Sequence, residues 1–163
     1  MVPNTIAKAD SRVVLDAVRL LVRSLQESSR LAERKVGLSG AQLFTLQTLE
    51  RTGPVSLQDL ALHTATHQSS VSVVVSRLVA RSLVSRKPDP DDRRRVVLSL
   101  TPAGKIRLRR SPTLAQERLL KGLAQMPARD RRMLALLLRR LVVKMGIERI
   151  APSMFFEPSR RRP

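Results

Sequence analysis

Between Asp10 and Lys35 the apolar residues Val14, Ala17, Leu21, Leu25 and Ala32 return every three or four positions, with Ser28 in the remaining slot. That period predicts one long amphipathic helix, which Gly37 ends. Ser39, followed three residues later by Gln42, has the form of a capping box and opens a second helix that runs to Gly53-Pro54 with Leu43, Leu46 and Leu49 turned inward. Ser56 and Asp59 repeat the signature before a short third helix, Leu57 to about His63, and the polar Thr64-Ala65-Thr66 forms a turn. A fourth helix, His67 to about Arg81, sets Val71, Val74, Val75 and Leu78 on one stripe. Gln68, Ser69, Ser72, Ser76 and Arg77 are left on a small, polar outer face, where Val73 also falls.

After the fourth helix the period shortens to that of strands. Leu83–Arg86 and Val96–Leu100 flank Pro88-Asp89-Pro90-Asp91-Asp92-Arg93-Arg94, which predicts a two-stranded hairpin with a charged tip. Thr101 and Pro102 supply an N-cap and a first-turn proline for a fifth helix that reaches about Ala124, with a kink expected at Pro112. Pro127 opens a sixth, whose Met133, Leu134, Leu136, Leu137, Leu138, Leu141, Val142 and Val143 cover too wide an arc for one neighbour. Burial on two sides suggests a subunit interface. The tail after Gly146, with Phe155-Phe156 and Arg160-Arg161-Arg162, reads as a docked segment followed by a frayed basic end.

Composition narrows what such a helical chain does. Its 163 residues suit one domain, and 42% apolar content excludes a disordered chain. The sequence has neither an apolar run of membrane-spanning length nor a signal-peptide pattern, so a cytoplasmic protein is expected. With 31 Lys and Arg against 13 Asp and Glu, the net charge of +18 favours a polyanionic partner, nucleic acid first and an anionic membrane a distant second. The absence of cysteine removes disulfides and thiolate chemistry. His63 and His67 are four apart, but the expected turn lies between them, so no metal site is assigned. Neither a Gly-rich phosphate loop nor a nucleophile motif is present, and neither enzymatic activity nor a cofactor is expected.

Three short helices followed by a hairpin, in that order, make a DNA-reading unit, since a helix fits the major groove and a narrow basic tip reaches the minor groove. At this point the sequence resembles the MarR family of winged helix-turn-helix transcription regulators. The segments that carry the likeness are Ser56-Leu57-Gln58-Asp59-Leu60-Ala61, Ser69-Ser70-Val71-Ser72, Ser76-Arg77-Leu78-Val79-Ala80-Arg81-Ser82-Leu83-Val84, Asp91-Asp92-Arg93-Arg94 and Leu98-Ser99-Leu100-Thr101-Pro102-Ala103-Gly104. The likeness spans about residues 10 to 146, and the Leu-Thr-Pro-Ala-Gly piece is its most specific part.

The resemblance implies that Gln68, Ser69, Ser70, Ser72, Val73 and Arg77 face DNA, with Gln68 suited to adenine, Val73 to a thymine methyl and Arg77 to phosphate. It also implies that Arg94 enters the minor groove with Asp92 orienting it, a spacing that suits a charge-assisted hydrogen bond. Arg86 on the first hairpin strand and Arg93 at the tip complete the candidate contact set. Ala65 stands where a turn glycine is common in the family, and Val73 where a basic or polar residue is common. Many members bind a small molecule between dimer helices and DNA-binding lobe, but with Phe44, Phe155 and Phe156 as the only aromatics, stacking of an effector has little to work with. Phe44 and Met126 are read as core.

The expected architecture is a single, mainly α domain over residues 1–163, a winged helix-turn-helix with a small two-stranded β-wing and a helical dimerisation region. Residues 38–101 form the DNA-binding lobe, 10–36 and 102–146 the dimerisation region, and 147–163 a basic tail. The expected function is a homodimeric, sequence-specific transcription repressor on a pseudo-palindromic double-stranded DNA site, relieved by an effector of unknown identity. Two rivals stay open, a low-specificity architectural DNA-binding protein and an RNA-binding winged helix.

Overall fold

The computed structural model describes residues 3–88, 96–149 and 154–155. At its centre is α2 (Gly40–Thr52), which is buried on nearly every side although its sequence alternates leucine with threonine and glutamine. Burial is tolerable because the hydroxyls find partners: Thr45 Oγ1 donates to the Ala41 carbonyl at 2.9 Å and Thr48 Oγ1 to that of Phe44 at 2.9 Å. The expected capping box is present, with Ser39 Oγ accepting from the Gln42 N–H and Gln42 Oε1 from the Ser39 N–H. Leu43, Leu46 and Leu49 point into the core, as does Phe44.

Around α2 pack the C-terminal half of α1 (Pro3–Val36), the short α3 (Leu57–His63) and α4 (Gln68–Ala80). Val71, Val74, Val75 and Leu78 of α4 are fully buried, as their spacing predicts. Three strands follow one pattern of antiparallel pairing: β2 (Val84–Pro88) lies beside β3 (Val96–Leu100), which also pairs with β1 (Val55–Ser56) through Val55↔Leu98 and Ser56↔Val97. The hairpin is therefore joined by a third strand that periodicity did not show, since two residues are too few to display one.

The expected fifth helix is two helices, α5 (Pro102–Arg109) and α6 (Ala115–Gln125), so Pro112 breaks the segment rather than kinking it. Proline removes an N–H and disfavours helical backbone in the residue before it, and here distant groups hold the break open. Ser28 Oγ, from α1, accepts from the Ala115 N–H at 2.9 Å, and Gln47 Nε2, from α2, donates to the Pro112 carbonyl at 3.3 Å. The last helix, α7 (Ala128–Lys144), buries none of its residues. Of the tail, Met154 is 3% exposed and sits in the main core, where its sulfur accepts from Thr45 Oγ1 at 3.9 Å, while Phe155 stays largely exposed. No helix among the described residues is long and apolar enough to cross a membrane.

Two local constraints explain residues of the α3–α4 turn and of the start of α5. Thr101 Oγ1 caps α5 by accepting from the Gly104 N–H at 3.0 Å and donates to the Ser82 carbonyl at 2.7 Å, which presses the first turn of α5 onto the residue before β2. A β-carbon at Gly104 would lie inside contact distance of the Leu83 carbonyl oxygen and 3.3 Å from Leu100 Cδ2. Gly104→Ala is expected to cost about 3 kcal/mol, near the top of the range for overpacking, measured as a fall in thermal midpoint. The α3–α4 turn closes with the Thr66 N–H donating to the Ala61 carbonyl at 3.0 Å and Ala65 at φ 50°, a left-handed conformation that penalises any β-carbon. Ala65→Gly therefore relieves strain and is expected to stabilise by about 0.5–1 kcal/mol after the entropy of the unfolded chain is counted, a small rise in the same midpoint.

Candidate nucleic-acid interface

The outer face of α4 is polar because its inner face uses every long aliphatic except Val73. Gln68, Ser69 and Ser76 are exposed, Ser70, Ser72 and Arg77 are half-buried, and Val73 is 40% exposed in the middle of this surface. Ser76 Oγ donates back to the Ser72 carbonyl at 2.8 Å, which keeps its hydroxyl against the helix. His67 occupies the N-cap without a side-chain capping bond and is exposed, so the N–H groups of the first turn point outward unclaimed by it.

The base of the wing faces the same way. Arg86 on β2 reaches back across to α4, where its Nη2 donates to Ser76 Oγ at 3.4 Å. A groove of about 350 Å³ runs between the two elements, lined by Leu57, Ser72, Arg86, Lys87, Pro88 and Val96 along its length, with Leu98 also in its wall. Ser85 and Ser99 are joined through their hydroxyls at 2.8 Å and fix the strands at that level. The wing-tip residues Asp92, Arg93 and Arg94 lie outside the described residues. Of the ten candidate contact residues, six lie on α4 and Arg86 on β2, and the structure brings Ser72 and Arg86 together in this groove.

Sequence reasoning missed the residues that hold this surface against α1. Arg81, at the C-cap of α4, donates through Nη1 to the Gly37 carbonyl at 2.8 Å and to Gln42 Oε1 at 3.3 Å. Arg107 of α5 donates through Nη1 to the Val36 carbonyl at 3.0 Å. Two guanidinium groups thereby satisfy the orphan carbonyls at the negative end of α1. Their only sequence signal was positive charge, and their acceptors are 44 and 71 residues away. Lys87, also unassigned from sequence, lines the groove beside Arg86.

A second opening, about 480 Å³, lies behind the reading surface. Ala61, Ala65 and His67 form one wall, Gln116 and Leu120 of α6 another, and Met154 closes part of it. The cleft therefore separates the turn that starts α4 from the helix that follows the Pro112 break.

Known proteins resemble the chain over this same region. The MarR family model matches residues 38–96. The transcriptional repressor NicR of Pseudomonas putida is 43% identical over 67 residues, which is 41% of this chain and 42% of that protein. The chain spans about half the length of the curated relatives it matches. Among solved structures, a probable transcriptional regulator from Pseudomonas aeruginosa is 34% identical with a TM-score of 0.51, covering 75% of this chain and 93% of that one. Bordetella bronchiseptica BpsR, whose DNA binding is regulated by 6-hydroxynicotinic acid, is 28% identical with a TM-score of 0.52, covering 82% and 98%. A polar-faced helix and an adjoining wing, built on a buried α2 and matched by these relatives, identify the chain as a member of the MarR family of winged helix-turn-helix transcription regulators.

Proposed function

We propose that the chain acts in the cytoplasm as a homodimeric, sequence-specific transcription repressor, with residues 38–101 reading DNA and residues 10–36 and 102–146 forming the dimer. The observation that carries the reading is the shared groove of Ser72 and Arg86, which turns the outer face of α4 and the root of the wing toward one duplex. Gln68 suits an adenine edge, Ser69, Ser70 and Ser72 suit bases or phosphates, and Val73 suits a thymine methyl. Arg77 and Arg86 suit phosphates, and of the wing-tip residues Arg94 is assigned the minor groove with Asp92 to orient it, Arg93 being a further contact.

Dimerisation follows from what one copy leaves uncovered. Val14, Val18 and Leu21 on α1 and Leu137, Leu138 and Leu141 on α7 are all more than 40% exposed, and such clusters of exposed aliphatics mark interaction surfaces. A second copy removes them from water and fixes the two reading helices about one helical turn, roughly 34 Å, apart. The cleft beside Ala65 and His67 has the volume of a small-molecule site, and an effector there bears on the start of α4 and on α6 together. Regulation of BpsR by 6-hydroxynicotinic acid supports such control. Filling the cleft changes the angle between lobe and dimer helices and so the spacing of the reading helices, which releases the operator.

Selection of binding sites from a random duplex library tests the reading. A pseudo-palindrome with half-sites one turn apart is the expected result, and Arg94→Ala is expected to weaken the selected site by about 1–3 kcal/mol with the fold unchanged. Recovery of no preferred sequence would favour an architectural binder. The dimer is tested by Leu138→Asp and analytical ultracentrifugation. On an isolated chain this exposed position tolerates the change within about 0.5 kcal/mol, whereas a buried interface dissociates and loses operator binding.

A further inference from the structure

The positive charge is not concentrated where the reading surface lies. Residues 38–101 hold 8 Lys and Arg against 5 Asp and Glu, whereas residues 102–163 hold 16 against 4, so two thirds of the net +18 lies beyond the wing. Within that region α7 gathers most of its cations on one side. At about 100° per residue, Leu134, Leu137, Leu138, Leu141, Val142 and Met145 occupy one side of the helix. Arg129, Arg132, Arg139, Arg140 and Lys144 fall within an arc of about 140° on the other, interleaved with the exposed Met133, Leu136 and Val143. All five are exposed, and among the described residues none is in an ion pair. The single acid of the helix, Asp130, falls outside the arc. Arg131, by contrast, is spent on the carbonyls of Leu123, Ala124 and Met126 at the α6–α7 corner.

Like charges three and four residues apart destabilise a helix, and solubility alone is served as well by mixed signs. A face of guanidinium groups with no acid among them is matched instead to phosphate, which arginine binds through its planar fork. From Arg129 to Lys144 the helix axis advances about 22 Å, the length of roughly six or seven base pairs of duplex backbone. An anionic membrane fits less well, because a helix lying on it needs its aliphatic side free to sink among acyl chains. On the reading above, that side is the one a second copy covers.

We infer that the cationic face of α7 binds the phosphate backbone of a second DNA duplex, so that the protein joins two duplexes, one read by its lobes and one held by its last helix. The inference rests on the proposed operator reading, and the test separates the two. An immobilised duplex no longer than the selected operator is loaded with the full chain, and capture of a labelled second duplex of unrelated sequence is measured between about 50 and 200 mM salt. Wild-type protein is expected to capture it, with capture falling at least about tenfold across that range. The Arg132→Gln, Arg139→Gln, Arg140→Gln triple variant is expected to lose capture while its operator affinity stays within about twofold, since the three side chains are exposed and α7 has no extensive packing against α4.

Failure of the wild type to capture a second duplex overturns the inference, as does equal capture by the triple variant or a parallel loss of operator affinity. Binding of phosphatidylserine-containing vesicles through the same arginines, without duplex capture, replaces DNA by a membrane surface and also overturns it. Absence of any preferred operator, with duplex binding still dependent on the three arginines, sinks the operator reading and supports this face as a DNA site.

Discussion

The DNA-reading surface depends on four side chains that never reach it. Val71, Val74, Val75 and Leu78 are removed completely from water, and at about 1.5–3 kcal/mol for each buried aliphatic their anchoring is comparable with the whole stability of a domain of this size. A helix held that firmly does not slide or roll in its seat, because packed interiors have few alternative arrangements. Its outer residues are therefore presented at fixed positions relative to β2 and the groove beside Arg86. Adjustment of the surface to DNA, or away from it, must come from moving the lobe as a body.

The joints available for such a movement are few and identifiable. Arg81 and Arg107 tie the end of α4 and the last turn of α5 to the carbonyls at the end of α1, so the lobe follows that helix end. On the other side the connection runs through the break at Pro112, whose N-terminal edge is held by Gln47 and whose C-terminal edge by Ser28. Between these joints lies the cleft, with Ala65 held in a left-handed conformation on one wall. Strain of this kind persists where surrounding structure over-determines it. Here it lies where the turn, α6 and the buried Met154 meet, and on the proposed reading a ligand acting at that meeting point changes an angle rather than the shape of α4.

Much of this was legible in the chain because the relevant signals are local. Ser39 with Gln42 capped a helix as written, the i, i+3, i+4, i+7 stripe of α4 was buried as written, and Thr101-Pro102 opened α5. What escaped was set by distant partners. Whether Pro112 kinks or breaks a helix was decided by Ser28, 87 residues from the amide it caps, and the two residues of β1 became a strand only because Leu98 and Val97 were there to pair. In the tail the aromatic pair drew attention, yet the unbranched Met154 fills the core, as a flexible side chain suits an irregular gap. The polar outer face of α4 was legible because a polar face on a buried helix is itself a local pattern, whereas Arg81, Arg107 and Lys87 carry charge and nothing else to mark them.

The division of charge along the chain bears on how such a reader stays selective. Phosphate contacts give affinity without regard to sequence, so a lobe crowded with cations binds everywhere and discriminates little. This lobe holds its net charge to +3 over residues 38–101 and offers hydroxyls, an amide and one aliphatic on α4. Base edges and shape must then supply a large share of its free energy, which makes mismatches costly relative to the total. Of the 23 Lys and Arg outside the lobe, six lie on α7, a helix with no extensive packing against it. On the inference drawn above, cations there raise attraction for nucleic acid without lowering the contrast between a correct site and a wrong one at the lobe, so their separation in space allows both to coexist in one chain.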